Sequence, residues 1–220
     1  MNCIITAGPT FEPLDDVRRL TNFSTGRLGC ELAGYLTAQG HRVTLLIGEQ
    51  ATYVGERPAR SVRRFSTTRD LRDQLKSFTR KKVDAIFHAA AVSDFSFGKL
   101  LVENEAGQLL PLKRSKKIST RRGSLFAELI PTPKIIATLR AWFPRTVIIG
   151  WKFEANGIRP QALAAAHQQL ADCHTQACVA NGPAYGPGFA LVTPARSRHL
   201  PTKTKLFREL ENFTLHSLRQ

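Results

Sequence analysis

Short apolar runs alternate with amphipathic stretches along most of the chain. Cys3–Ala7 is an apolar run that stops at Gly8-Pro9-Thr10, which predicts a buried strand meeting a tight loop. A polar, proline-containing stretch follows to Thr25. Leu28, Leu32, Ala33 and Leu36 then recur at helical spacing, so a helix is predicted over Arg27–Ala38, ended by Gly40. His41–Gly48 reads as a second strand, rich in branched aliphatic residues. Strand, glycine-rich loop, helix and strand make one βαβ unit, with parallel strands and a right-handed crossover.

The alternation continues. Val62–Ser66 reads as a weak strand, Thr68–Thr79 as a helix and Val83–Ala91 as a strongly apolar strand. Ser96–Arg122 breaks the rhythm with Gly98, Gly107, Pro111 and a basic cluster of Lys113, Arg114, Lys116, Lys117, Arg121 and Arg122. This segment, about 96–122, is predicted to be a flap with a short hairpin outside the core. Leu125–Leu129 is predicted as a strand, and Pro133–Ala141 as a helix with proline near its first turn. Val147–Trp151, Gln161–Ala171 and Ala177–Asn181 read as strand, helix and strand. Phe189–Thr193 and Arg198–Leu200 fit a terminal hairpin, and Thr204–Leu218 a closing helix with Leu206, Leu210, Phe213 and Leu218 facing inward.

The expected fold is therefore α/β: a Rossmann-like three-layer sandwich around a mostly parallel sheet, with the flap as an excursion. Residues 1–220 are expected to form a single domain, because no repeat or long linker divides them. Ligands of such sheets bind at the carboxyl ends of the strands. The segments to search follow Ala7, Ala91, Leu129, Trp151 and Asn181.

Composition narrows the class. The chain has 220 residues, 42% hydrophobic and 22% charged, as in ordinary globular proteins. Its apolar runs all fall short of the ~18 residues of a membrane span. The start, Met-Asn-Cys-Ile-Ile-Thr-Ala-Gly, lacks a basic leader, so no secretory signal is expected. Lys and Arg total 32 against 17 Asp and Glu, a formal net charge of +15. Such a balance attracts polyanions: nucleic acid, nucleotides, phosphorylated metabolites or an anionic membrane. Cys3, Cys30, Cys173 and Cys178 include no CxxC pair and complete no zinc set, so reduced structural thiols in a cytoplasmic protein are expected.

Two places carry candidate chemistry. The helix after the first loop opens with Asn22-Phe23-Ser24-Thr25-Gly26-Arg27-Leu28-Gly29. Helix N-termini offer free N–H groups and partial positive charge, Ser24 and Thr25 add hydroxyls, and Gly26 allows close approach. Phosphate binding and a plain N-cap by Ser24 or Thr25 both fit. Gly8, Gly26 and Gly29 are too far apart for a GxGxxG fingerprint. Asn22 can donate to a carbonyl that gains negative charge, or it can serve only its own loop. Arg18 and Arg19 by themselves read as solvated surface. The second place is Ala89-Ala90-Ala91-Val92-Ser93-Asp94, where small residues leave room for a ring or ribose. Asp94 can accept from hydroxyl or amino groups or help hold a metal through phosphates; tight packing with a helix N-cap is the alternative. The basic cluster lacks interleaved aromatics. His41, His88, His167, His174, His199 and His216 are scattered, and neither GxSxG nor GxxxxGK[ST] is present.

In order and spacing these motifs resemble the phosphopantothenoylcysteine synthetase family, the synthetase half of the bifunctional pantothenate metabolism flavoproteins. The resemblance rests on Thr6–Asp15, Val17-Arg18, Asn22–Gly29, Ala90–Phe95, Lys117-Ile118, Pro131–Ile135, Ile149–Glu154 and Val179–Asn181. It implies a ligase that joins 4'-phosphopantothenate and L-cysteine in coenzyme A biosynthesis. The substrate carboxylate attacks the α-phosphate of CTP or ATP, an acyl-nucleotidylate forms, and the cysteine amine displaces the nucleoside monophosphate. By motif position, Lys117 meets the α-phosphate and Asn22 the acyl oxygen, and Arg18 matches a phosphopantothenate-binding arginine. Gly8, Ser24 and Gly26 match the phosphate-holding turn. Ala90, Ala91 and Asp94 match the nucleoside pocket, with Thr132, Pro133, Lys134, Ile135 and Trp151 beside it. The family resemblance further implies Mg2+ and a homodimer whose flap completes the partner's site. No flavin is expected, because these residues hold no counterpart of the flavin-dependent decarboxylase half. Neither nucleic acid nor membrane is an expected partner.

The chain also departs from the family. Pro9 replaces the second glycine of the usual Gly-Gly-Thr and removes an N–H. Gln169 and Cys173 stand where bacterial members carry two triphosphate-binding lysines, so Lys152 or Lys134 has to compensate or the nucleotide sits differently. Two rival readings remain. A short-chain NADP-dependent reductase needs Tyr-x-x-x-Lys, but Tyr35, Tyr53 and Tyr185 are followed four residues on by Gln39, Arg57 and Phe189. A non-catalytic, basic nucleic-acid-binding relative predicts steeply salt-dependent affinity for strands.

Overall fold

Strands buried on both faces need a helical layer on each side, and the apolar runs are arranged accordingly. The computed structural model describes residues 1–104, 106–113, 117–119 and 123–219. In chain order the elements begin with β1 (Asn2–Ala7), β2 (Phe11–Pro13), β3 (Arg19–Thr21), α1 (Arg27–Ala38), β4 (Arg42–Gly48), β5 (Ser61–Phe65) and α2 (Thr68–Lys76). Next come β6 (Ala85–His88), β7 (Phe95–Glu103), β8 (Leu109–Pro111), β9 (Leu125–Pro131), α3 (Ile135–Trp142) and β10 (Val147–Phe153). The chain closes with α4 (Arg159–Cys173), β11 (Ala177–Asn181), β12 (Phe189–Val192), β13 (Ser197–Leu200) and α5 (Lys203–Ser217).

Eight strands form one sheet in the order β13-β12-β11-β10-β6-β1-β4-β5. The six from β5 to β11 pair in parallel, and β12 and β13 add an antiparallel hairpin at one edge. Alternation along β1 sends Cys3, Ile5 and Ala7 toward α1 and α5, with Leu32, Leu36, Leu206 and Leu210. Ile4 faces the opposite layer, with Leu71 and Leu75 of α2 and Ile135 and Leu139 of α3. Helix α4 joins that second layer through Ala162, Ala166 and Leu170 on Cys178 and Ala180. The expected three-layer α/β sandwich is what forms. Helix α1 and β11 have the predicted bounds, and all four cysteines are buried and unpaired. No helix among the described residues is long and apolar enough to cross a membrane.

The flap differs from expectation. β7, β8 and β9 make a separate three-stranded antiparallel sheet, so the strand predicted at Leu125–Leu129 is not part of the parallel sheet. Its run of apolar residues resembles a core strand, yet Phe126, Leu129 and Ile130 are exposed. The excursion thus spans Phe95–Pro131 instead of about 96–122. Of the basic cluster, Arg114, Lys116, Arg121 and Arg122 lie outside the described residues, while Lys113 and Lys117 are exposed. The stretch read as irregular before Thr25 contains a hairpin, β2 against β3. Pro133 precedes α3 instead of sitting in its first turn, because Lys134 is the N-cap. Leu218 caps the end of α5 and is exposed, contrary to the inward placement expected of it.

Candidate active site

Strand order reverses between β1 and β6: β4 and β5 lie on one side, β10 and β11 on the other. Such a reversal leaves a crevice at the carboxyl edge. Here the two chain segments stay zipped beyond the strands, with Thr10 N donating to Ala91 O at 3.1 Å and Ala91 N to Gly8 O at 3.0 Å. A cavity of about 740 Å³ opens at this place.

One wall is the N-terminus of α1. Gly26 is the N-cap, with φ 78°, a left-handed conformation that suits glycine, and no side chain caps the helix. Thr25 Oγ1 accepts from Arg27 N at 3.2 Å, which takes up the first N–H of α1, while Leu28 and Gly29 of the same turn also line the cavity. Gly26, and neither Ser24 nor Thr25, thus holds the N-cap position that the sequence left open. A Cβ on Gly29 would lie 2.5 Å from Ala7 Cβ, so glycine there lets α1 rest directly on β1. Gly8 sits behind this wall, its Cα 3.3 Å from where a Gly26 Cβ would stand, and does not itself line the cavity. Asn22 lines the mouth beside Ser24. Its amide nitrogen donates to Ala91 O at 3.2 Å and Val92 O at 3.3 Å, which fixes its orientation.

The opposite wall comes from the root of the flap. Ala90, Ala91 and Asp94 line the cavity, as do Thr132, Pro133, Lys134 and Ile135. Thr132 N donates to Asp94 O at 2.9 Å and Thr132 Oγ1 to Ser93 O, pinning the two ends of the excursion together. Asp94 leads into β7, so the helix N-cap alternative for it does not hold. Lys134 caps α3 through its backbone only.

The far side is built on β10 and β11. Trp151 and Asn181 lie diagonally adjacent on one face of the sheet, and both Trp151 Nε1 and Asn181 Oδ1 are buried with no partner among the described residues. Lys152, on the other face, pairs with Glu154 at 3.2 Å. Gln169 of α4 packs over Gly150 and donates to Cys178 Sγ at 3.2 Å, and Cys173 is buried, so α4 brings no cation at these two positions. Arg27, Lys134 and Lys152 are the cationic side chains of the lining, and Asp94 its carboxylate.

The floor holds a group that sequence reasoning set aside. His88, the last residue of β6, lines the cavity and is 5% exposed. Its Nδ1 lies 3.0 Å from Thr6 Oγ1, which also accepts from Ala90 N at 3.1 Å. Burial pushes its pKa down to about 4, so the imidazole is neutral at neutral pH. A lone histidine carries little signal in a sequence; strand alternation, which puts positions 6 and 88 on one face of paired strands, could have exposed the pair.

Arg18 and Lys117 are outside this cavity in the single chain. Arg18 pairs with Asp15 and donates to Ile118 O at 2.8 Å. Asp15 accepts from Val17 N, Arg18 N and Ile118 N, and these donors, Arg18 first, hold its carboxyl far below the usual range. The segment bearing Lys117 is thus anchored to the β2–β3 turn. The structure gathers Asn22, Ser24, Gly26, Ala90, Ala91, Asp94, Thr132–Ile135 and Trp151 into one cavity, and leaves Gly8, Arg18 and Lys117 outside its lining.

Comparison with known proteins converges on one group. Residues 1–195 match the family model described as DNA/pantothenate metabolism flavoprotein C-terminal domain. A coenzyme A biosynthesis bifunctional protein CoaBC from Thermococcus kodakarensis is 31% identical over 81% of this chain and 40% of its own length. The match thus spans less than half the length of such curated relatives. A DNA/pantothenate metabolism flavoprotein from Streptococcus pneumoniae superposes with TM-score 0.86 at 25% identity, covering 98% of this chain and 99% of that one. A Cab2 mutant in complex with phosphopantothenate-cysteine shares the fold, with TM-score 0.76 at 20% identity over 99% and 87% of the two chains.

Proposed function

The chain belongs to the DNA/pantothenate metabolism flavoprotein C-terminal domain family, and from that membership we propose that it is a phosphopantothenoylcysteine synthetase, a ligase that joins 4'-phosphopantothenate to L-cysteine. The observation that carries the reading is the cavity at the β1–β6 reversal, where an uncapped helix N-terminus, a fixed amide and a strand end of small residues converge.

A carboxylate is a poor electrophile until one oxygen becomes a good leaving group. In the proposed reaction that oxygen attacks the α-phosphate of CTP or ATP and pyrophosphate departs. The cysteine amine then attacks the acyl carbon and the nucleoside monophosphate leaves. No electrons are transferred, so the chemistry calls for no flavin. The N–H groups at the start of α1, with Ser24, Gly26 and the Gly8 turn, suit the nucleotide phosphates. Asn22 lies where it could meet the acyl oxygen, and to do so its amide nitrogen would have to turn one N–H away from Ala91 O or Val92 O, to which it donates in the single chain. Ala90, Ala91 and Asp94 would receive a substrate against the backbone, with Thr132–Ile135 and Trp151 beside it.

Among the described residues no group of three or more His, Cys, Asp or Glu side chains is placed to hold a metal ion. Mg2+ typically keeps most of its waters and is held by one or two carboxylates plus substrate phosphates. Asp94 is a carboxylate in the right cavity for that mode, so Mg2+ arriving with the nucleotide fits this donor set, where it would screen phosphate charge.

Lys117 and Arg18 would act through a second copy. The flap exposes Leu109, Phe126 and Ile130 on one side and Leu110 and Leu129 on the other, apolar surface suited to pairing with another flap. In such a homodimer Lys117 would reach the partner's α-phosphate and Arg18 the partner's phosphopantothenate. The test is to supply Mg2+, 4'-phosphopantothenate and cysteine with ATP or CTP in turn. Ligated product by mass, with stoichiometric pyrophosphate, is expected with one nucleotide at least. Absence of product with both would overturn the reading.

A further inference from the structure

We propose that His88 is a substrate-binding residue, a neutral donor whose Nε2–H is reserved for a phosphoryl oxygen of a bound substrate. The argument begins with proton bookkeeping around Thr6. Its hydroxyl is fully buried, and its oxygen accepts the Ala90 N–H. The hydroxyl hydrogen needs an acceptor, because an unmade bond in such a place is costly. The one acceptor the described residues offer it is His88 Nδ1, at 3.0 Å. Nδ1 therefore carries no proton, and in a neutral imidazole the proton is on Nε2.

Nε2 has no partner among the described residues, although His88 is almost wholly buried and lines the cavity. Nε2 is not among the fully buried unpartnered atoms, so it opens on the cavity, where an N–H without a protein partner can meet an acceptor that enters. The surroundings say which kind. In register beside His88 is Gly150, which has no side chain to cover the ring, and Gln169 over Gly150 has its amide nitrogen committed to Cys178. The start of α3 lines the same cavity without a side-chain cap, and Lys134 adds positive charge, while Lys152 is paired with Glu154. An anionic oxygen fits that setting. A metal ion does not, since Nδ1 has given its lone pair to Thr6 and Nε2 holds the proton.

Both phosphorylated substrates of the proposed ligase offer the required oxygen, and the choice of probes rests on that reading. The test uses the full chain with 15N-labelled histidine, His88 being assigned from the spectrum of His88→Gln. Long-range proton–nitrogen correlation at pH 7 should show the Nε2–H tautomer. ATP, CTP, 4'-phosphopantothenate and inorganic phosphate are then titrated separately. At least one should shift the Nε2 resonance, and the responding probe identifies the source of the oxygen. His88→Leu should weaken binding of that probe about tenfold or more, as expected for a lost bond to a charged acceptor. His88→Gln, which can place an amide N–H near the same point, should bind within about threefold of the parent.

An Nδ1–H tautomer, a doubly protonated ring at pH 7, or an Nε2 resonance indifferent to every probe would overturn the proposal. So would unchanged probe affinity in His88→Leu. None of these readouts needs turnover. A protein that shifts His88 with a probe yet makes no product would sink the ligase reading and leave this one standing.

Discussion

Asp15 accepts the backbone N–H of Ile118 at 3.0 Å, joining the β2–β3 turn to a segment about a hundred residues further along the chain. Arg18 completes the clasp, bonding Asp15 with its guanidinium and Ile118 O at 2.8 Å. Lys117 is the neighbour of Ile118, so a carboxylate that touches no cavity residue sets where that lysine begins. If Lys117 acts on the α-phosphate as proposed, Asp15→Asn should lower ligase kcat/KM by about tenfold or more while the parallel sheet stays folded, since misplacing a reacting group is expensive. Steady-state kinetics beside a far-ultraviolet melt would separate these effects. Retained activity would count against the clasp.

The same clasp has a pH signature. The carboxyl of Asp15 titrates below its ordinary value near 3.9. A depressed carboxylate contributes stability that is complete above the unfolded value and is lost as pH falls through the folded one. The segment at 117–119 should thus stay protected from proteolysis at every pH above about 4 and loosen only in stronger acid. In Asp15→Asn it should be cleaved readily at neutral pH too. Equal protection in both proteins would contradict this.

His88 titrates with a related sign but in another window. Its folded pKa of about 4 lies below the ordinary 6.5. Between these values the unfolded chain binds a proton that the folded chain refuses, so stability falls as pH drops from about 6.5 to about 4. The shift corresponds to roughly 3 kcal/mol at most. Urea melts at several pH values should show the parent losing stability across this window, and His88→Gln losing less. Parallel curves would contradict the assignment.

Close contact between α1 and β1 predicts a packing cost. Gly29→Ala would set a methyl group 2.5 Å from Ala7 Cβ, with backbone of Thr6 and Ala7 behind it. The helix has to move outward, at a cost of about 1–3 kcal/mol. Because its N-terminus forms one cavity wall, nucleotide affinity should fall along with the melting temperature. A variant as stable as the parent would show that the layers yield more easily than this geometry implies.

Much of this arrangement was legible in the sequence, for physical reasons. Strands buried on both faces are continuous apolar runs, so β1, β4, β10 and β11 stand out. The β1–α1–β4 unit then placed the first loop at a carboxyl edge, and the small residues after β6 marked the second. The flap was harder. β9 is apolar like a core strand, and only its pairing with β7 shows that it lies outside the sheet. The turn of the β2–β3 hairpin is closed locally by Asp15, which accepts from Val17 N and Arg18 N, but its bond to Ile118 is one that no local pattern reports. His88 gains meaning from Thr6, 82 residues away in the chain.

The placement of Asn22 and Lys117 leads to a subunit test. Asn22 lines the cavity of its own chain, and Lys117 does not. If the flap serves the partner, each site combines Asn22 from one chain with Lys117 from the other. Asn22→Ala and Lys117→Ala homodimers should each lose most activity. In a mixed dimer, one site carries both defects and the other carries neither, so that second site is intact. Random association makes half the dimers mixed, and equal co-expression should therefore recover about a quarter of the parent's activity. A site built within one chain gives no recovery, because every site in every dimer then lacks one of the two groups. Recovery near a quarter would place Lys117 in the partner's reaction, and none would return it to its own chain or to no role in the chemistry.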